Sequence, residues 1–449
     1  MGIEMSYDVD SSFFHAEATL PADLPCYVQR AADGELLKVL RQGKFTVILS
    51  SRKVGKSSLM ERAFTSLREE GTIVVKKELA EADANITVES WYAGLVEEFV
   101  NDAKRRNQFQ VDPGWRAWWS ERSNLPAGQR FTDFLRTFFL EPTTQPWIIA
   151  LDEIDTTIPL SFSDDFFAAI RRCQSARAAD PMFQRLTFLL AGTASPAQLI
   201  KDNRRTPFNI GHSLVVTDFS AEEAKVLLTG LGLPMQADHP ALQRVLYWTS
   251  GHPYLTQRLF LKLAEDLEDK SLPGTPDWDQ LVDQAVRDTL LRPGARTREA
   301  HLEDIAKRRI GDLDKPGNPN FEPELKRRML DIYRRTWHGQ IVKDDAVSKP
   351  CVELKLCGLL VTDRDDPSRL IVRNRIYRSV FDAAWIKSET PKDHWKQVAV
   401  AAVTMLALTI GGFAVWQRQY QIAVQKSQIV DLVAQIERAE SDVPMAAYT

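Results

Sequence analysis

An α/β fold, a parallel sheet with helices on both faces, is predicted by three observations. Unbroken apolar runs of strand length, Phe45 to Leu49, Trp147 to Leu151 and Leu186 to Ala191, alternate with stretches of helical spacing. Strands buried on both faces read this way. The first run leads straight into Ser50-Ser51-Arg52-Lys53-Val54-Gly55-Lys56-Ser57-Ser58 and a helix-like stretch from Leu59 to Leu67, and the second ends in Asp152-Glu153-Ile154-Asp155. A loop ending in Gly-Lys-Ser between a strand and a helix is a phosphate-binding arrangement. The first backbone N–H groups of the helix face an anion, and the helix dipole favours negative charge there. The sequence therefore predicts a P-loop NTPase core, followed by a helical lid, a winged helix and one transmembrane helix.

The elements follow in order. Residues 13–40 form a lead-in punctuated by Pro21 and Pro25, with a helical pattern beginning at Leu36 to Leu40. Thr72 to Val75 is a short strand-like run. Helical spacing marks Ser90 to Val100, through Trp91, Leu95 and Phe99, and Phe131 to Leu140. A further strand is expected at Leu214 to Val216, and the nucleotide-binding part spans 1–219. Residues 220–320 hold lid helices at Ala221 to Leu228, Leu242 to Trp248, Tyr254 to Leu267 and Trp278 to Leu291, then a charged stretch, 301–320, that reads as a mobile connector. Residues 321–386 carry two helices, then Leu359 to Thr362 and Leu370 to Val372 around a polar turn, the pattern of a winged helix.

Val398 to Trp416 has no charged residue, and 397–416 reads as a transmembrane helix with Trp395 and Trp416 at its ends. Arg378, Lys387, Lys392 and Lys396 before it outnumber Arg418 and Lys426 after it, so the N-terminal part is expected in the cytoplasm, on a single-pass membrane protein. The tail, 417–449, has helical periodicity at Ile422, Ile429, Leu432, Val433 and Ile436, compatible with a short coiled coil.

Composition narrows the function. With 449 residues the chain is long enough for two or three domains, and a net charge of −4 argues against a dedicated nucleic-acid binder. Cys26, Cys173, Cys351 and Cys357 lack metal-ligand spacing and read as buried thiols. Met1 to Ser12 has no apolar core and is not a signal peptide.

The chemistry points to ATP or ADP with Mg²⁺. Lys56 reaches the β- and γ-phosphates, and the Ser57 hydroxyl is a Mg²⁺ ligand. Ser50 stands where the P-loop pattern has its first Gly. Asp152 is the second metal-holding group, on a strand expected beside that of the loop. Glu153 polarises the attacking water, and Asp155 orients either one. Thr193 ends a strand and is either a γ-phosphate sensor or an ordinary strand-end polar residue. Arg205, beside Arg204, either stabilises transition-state charge or makes a surface ion pair.

The motifs SSRKVGKSSLM, LDEID, LTFLLAGTASPAQLIKD, RRTPFNIG and SGHPYLTQRL resemble the AAA-like domain of bacterial STAND-class P-loop ATPases, over about residues 8–386. The resemblance implies that the run from Tyr27 to Arg30 lies over the adenine. It implies that Ser51, Arg52, Lys53, Val54, Gly55, Lys56, Ser57 and Ser58 form the P-loop, and that the Gly251-His252-Pro253 turn of the lid packs on the nucleotide. Arg373-Asn374-Arg375 falls where related ATPases place a β-phosphate sensor, often a histidine, which is absent here.

The leading expectation is a membrane-anchored, slowly hydrolysing ATP switch. Its nucleotide state controls opening and self-association in response to a protein or ligand signal. The alternatives are a remodelling motor, a winged-helix DNA-binding ATPase regulator and a non-hydrolysing ATP-binding scaffold.

Overall fold

The computed structural model describes residues 4–5, 9–16, 19–80, 86–200, 211–268, 272–273, 276–318, 321–391 and 394–441. The chain divides into two units, Met1–Thr390 and Pro391–Thr449. In the first, five strands form one parallel sheet: β1 (Thr46–Leu49), β2 (Ile73–Glu78), β3 (Trp147–Asp152), β4 (Leu186–Gly192) and β5 (His212–Ser213). Their spatial order is β2-β3-β4-β1-β5. Thr46 pairs with Leu189 and Trp147 with Leu186. The strand that carries Asp152 is therefore not beside the P-loop strand, as expected from sequence, because β4 lies between them. The expected run at Leu214 to Val216 is a strand two residues earlier, although the Leu214 N–H still donates to the Val47 carbonyl at 2.9 Å.

Alternation along the strands builds two cores. Val75, Ile149 and Leu151 face one layer, and Val74, Ile148 and Ala150 face the other. Helices α1 (Ala31–Arg41) and α2 (Lys56–Glu69) cover the second face, with Leu36, Val39, Leu59, Ala63 and Phe64 turned inward. On the first face lie α3 (Val88–Arg105), α4 (Trp115–Glu121), α5 (Ala127–Phe134, continued as a π-helical stretch to Leu140) and α6 (Ser163–Ala176). This layer is aromatic: Phe139 stacks on Trp147 with centroids 4.3 Å apart, and Phe134 meets Trp115 edge-on at 5.9 Å.

Helices α7 (Pro240–Thr249), α8 (Pro253–Leu267) and α9 (Trp278–Val286) follow. Residues expected to be a mobile connector are instead ordered turns, Ala300–Glu303, Asp304–Ile310 and Gly311–Asp314, anchored by buried Leu302, Ile305 and Ile310. Then come α10 (Pro323–Trp337), α11 (Lys349–Leu356), an antiparallel hairpin of β6 (Leu360–Thr362) and β7 (Leu370–Val372), and the short α12 (Arg375–Val380) and α13 (Ala383–Glu389). These share one core with α7, α8 and α9. All four cysteines are buried free thiols.

The second unit contains one helix, α14 (His394–Ser441). Among the described residues no helix is long and apolar enough to cross a membrane. This corrects the expected transmembrane helix at 397–416, and with it the single-pass membrane location and the cytoplasmic placement built on its flanks. The described apolar stretch runs from Ala402 to Trp416, and Gln417, Arg418 and Gln419 follow at once. Residues 397–401 lie outside those whose side chains are described. Within α14, Trp416 stacks on Tyr420 with centroids 5.6 Å apart, and Ile422, Ile429 and Ile436 are exposed.

The aromatic layer makes a stability prediction. Phe139→Ala removes a fully buried ring packed on Trp147, and should cost about 3–5 kcal/mol of unfolding free energy. Urea unfolding followed by tryptophan fluorescence measures it.

Candidate functional site

The site forms where β1, β3 and β4 end. The chain leaves β1 at Leu49, turns through Lys53 at φ 62°, and enters α2 through Gly55, the N-cap, at φ 83°. Lys56 curls back over the loop, and its Nζ donates to the carbonyls of Ser50 and Ser51, both at 3.0 Å. Burial lowers its pKa to about 8. The Ser57 hydroxyl donates to Asp152 Oδ2 at 2.9 Å, across the end of β4. A hydroxyl and a carboxylate oxygen, adjacent and facing one space, form a hard-oxygen pair of the kind Mg²⁺ prefers.

The acidic turn is held from several sides. Glu153 sits at φ 54°, its N–H donating to Asp152 Oδ1 at 3.0 Å, and burial raises the pKa of its carboxyl. Burial opposes ionisation of Asp155 too. There, the Thr193 N–H and hydroxyl, each donating at 2.9 Å, and the nearby Arg309 charge outweigh it and hold the pKa low. This turn passes close over Gly192. A Cβ on Gly192 would lie 2.8 Å from Ile154 Cγ1 and 3.1 Å from Asp155 Oδ1.

A cavity of about 320 Å³ opens over these groups. Of the residues singled out by sequence, Tyr27, Arg30, Arg52, Lys53, Gly55, Lys56, Ser57, Ser58, Asp152, Glu153 and Pro253 line it. Ser51, Val54 and Gly251 line a second cleft instead, toward the hairpin. Arg205 lies outside the described residues. Arg30 serves the loop itself, donating to the Val54 carbonyl at 2.8 Å and to that of Thr217 at 3.3 Å. The Tyr27 hydroxyl donates to Asp33 Oδ1 at 2.5 Å, and Arg62 lies over the Tyr27 ring at 4.7 Å.

Gly251 is a backbone contact. Its φ is 81°, and a Cβ there would fall 2.0 Å from the Phe219 carbonyl oxygen, while the Phe219 N–H donates to the Gly251 carbonyl at 2.8 Å. The turn thereby fastens the start of α8 to the segment below the P-loop. His252 is fully buried and caps α8. Its Nε2 lies 3.2 Å from the Tyr377 hydroxyl, which also meets His301.

Groups from distant parts of the chain converge on the loop. Lys53 Nζ lies 5.0 Å from the centre of the Tyr254 ring, and Arg52 pairs with Asp304 at 3.4 Å. Arg309 donates to the Thr193 hydroxyl and lies 3.9 Å from Asp155. Arg373, at the foot of the hairpin, donates to the Ser51 hydroxyl at 2.6 Å and grips Asp218 through Nε at 3.0 Å and Nη2 at 2.5 Å. Sequence reasoning gave no role to Arg309, Asp218 or Asp304, and set Arg373 near a phosphate. The family resemblance alone marks Arg373, and Arg309 is hidden in a run of charges.

The model of the AAA-like domain family matches residues 15–289. The chain is 32% identical over 389 residues to an uncharacterized WD repeat-containing protein of Synechocystis sp., covering 86% of this chain and 31% of that protein. It thus spans about a third of that curated relative's length. The ORC2 protein of Aeropyrum pernix, in ADPNP and ADP complexes, is 12% identical at a TM-score of 0.48, covering 88% of this chain and 100% of that one. A Walker-type ATPase of Pyrococcus abyssi is 16% identical at a TM-score of 0.41, covering 79% and 95%. The family assignment rests on the sequence match.

The depressed Lys56 pKa has a consequence for stability. The ordinary value is 10.5 and the folded value about 8, so between those pH values the unfolded chain binds the extra proton. The contribution of this group to stability therefore rises from pH 8 to pH 10.5, by roughly 3 kcal/mol over the window. Lys56→Met should abolish that rise. Urea unfolding of both proteins at pH 8 and pH 10, without nucleotide, measures the difference.

Proposed function

The chain belongs to the AAA-like domain family, and on that premise we propose that it is an ATP-driven switch of the STAND class. In this reading Lys56 leaves the Ser50 and Ser51 carbonyls for the β- and γ-phosphates, while the N–H groups from Gly55 to Ser58 hold the chain of phosphates. Ser57 and Asp152 are the Mg²⁺-holding pair. When bound, the ion would neutralise phosphate charge. Glu153 takes the attacking water, and its raised pKa brings it nearer the pH at which a base works best. Turnover is slow, and resets the state rather than driving work.

The observation that carries this reading is the convergence of later segments on the loop. Arg373 binds Ser51, and Arg309 binds Thr193. The lid and the 300–314 turns are tied to the nucleotide cavity by one or two side chains each, and the hairpin region is tied to the loop beside it. A γ-phosphate arriving beside Lys56 and Thr193 competes for Arg309, and the state lacking it leaves that contact in place. A nucleotide shifts such an equilibrium only by its unequal affinity for the two states, and competition for Arg309 supplies the inequality. Arg364, Arg373 and Arg375, in and after the hairpin, are engaged on Asp218 and Tyr247 within the chain, and Arg369 on Asp363, which favours a switch over a DNA reader.

Sedimentation velocity of the purified chain tests the proposal. With ADP the protein should stay small, and with a non-hydrolysable ATP analogue it should open or self-associate, whereas Lys56→Ala should not respond. Equal sedimentation in both nucleotides, or a full response from Lys56→Ala, would sink the switch. Arg373→Ala should give the enlarged species with ADP alone. Glu153→Gln should keep ATP affinity while slowing phosphate release by about a hundredfold.

A further inference from the structure

We propose that residues 421–441 of α14 pair with the same segment of a second copy, as a parallel, in-register, two-stranded coiled coil. The segment falls into three heptads of one pattern, QIAVQKS, QIVDLVA and QIERAES, so Gln-Ile recurs at 421–422, 428–429 and 435–436. All of it is helical, up to the end of α14 at Ser441. Setting Ile422, Ile429 and Ile436 at heptad position a places Gln425, Leu432 and Ala439 at d. Ile422, Ile429, Leu432 and Ile436 are between 47% and 62% exposed. Among the described residues α14 is the single element of its unit, so nothing within that unit covers them.

A stripe that repeats every seven residues drifts around a straight helix. Two helices keep such stripes in contact by supercoiling about each other. The occupant that matches the stripe along its full length is a helix with the same repeat, and this chain carries one. Identical helices bring like to like, and the sequence accommodates this. Gln421 and Gln428, at g, face Lys426 and Val433, at e, of the second copy, so these flanks set no like charges against each other. Ile at a with Leu432 at the central d favours two strands. Gln425 meets its own copy at d, where each amide can donate to the other. A polar core position of this kind fixes register and strand number at some cost in stability. Arg418 stands at the preceding d, where it would face its own copy, and this repulsion sets the N-terminal limit of the seam. The pairing is independent of nucleotide. The small species expected with ADP is then a dimer, and ATP-driven assembly builds on dimers.

Cysteines placed along the seam test this in the full chain, whose four native thiols are buried. Ile422→Cys, Ile429→Cys and Ile436→Cys, made singly, should each be joined into covalent dimers by a short bismaleimide. Each should react about tenfold faster than Ser427→Cys, which lies at f on the outer face. The wild-type chain gives the background. The triple variant Ile422→Gln, Ile429→Gln and Ile436→Gln keeps good helix formers at these places. With ADP it should sediment at half the wild-type mass. An unchanged melting temperature of the first unit shows that the loss is one of pairing. Equal crosslinking at 427 and 429 would overturn the inference. So would a monomeric wild-type chain with ADP, or a triple variant that stays dimeric. Crosslinking of Ile429→Cys alone, with Ile422→Cys joining only Ile436→Cys in mixtures, would overturn it in favour of an antiparallel pair. None of these readouts compares nucleotides, so their failure leaves the proposed switch standing, and failure of the switch leaves the pairing standing.

Discussion

A buried ammonium sets the terms for everything around it. Lys56 is enclosed at the first turn of α2, held by two backbone carbonyls and, among the described residues, by no carboxylate in contact. Burial disfavours its charge, and the positive end of a helix disfavours it further. An anion placed over the loop answers both at once. The rest of the site is compatible with that need. Ser57 and Asp152 keep a metal-sized pair of oxygens alongside, while the acidic turn is restrained by Thr193 so that its negative charge does not simply fold onto the lysine.

Arginine is the means by which the later half of the first unit reaches the loop. Arg373 and Asp218 form a nearly buried bidentate pair, the kind that is costly to break by removing one partner, at about 3–5 kcal/mol, though weak as a net source of stability. Arg309 is less buried and shares Thr193 with Asp155. One contact is therefore firm and the other exchangeable. In the proposed switch the firm pair would give each arrangement definition, and the exchangeable one would answer to ligand.

Much of this was legible in the sequence. Residues buried on both sides of a sheet must be apolar throughout, so β1, β3 and β4 announced themselves, as did the Gly-Lys-Ser turn. Strand order did not. Nothing in the runs at 147 and 186 tells which one lies against β1, because both are equally apolar. Helix α6 was missed, although Phe166, Phe167, Ile170 and Cys173 have helical spacing, since Asp164 and Asp165 ahead of them look like a loop. The stretch 301–314 was misread for a related reason. Its charges are what local composition sees, and its few buried residues, with one arginine aimed at a site far off in sequence, are what tertiary structure uses. The apolar run before Trp416 is the converse case: its composition suggests a span, and among the described residues no helix is long and apolar enough to be one.

The crossing of Ser57 to Asp152 over β4 puts an unusual demand on a residue that has no side chain. Two loops from strands that are not neighbours must meet above the end of the strand between them, and Gly192 is the clearance that lets the acidic turn lie low enough. In evolutionary terms, position 192 should be as intolerant of change as Lys56 itself. The reason differs: one is kept for the group it bears, and the other for the room it leaves.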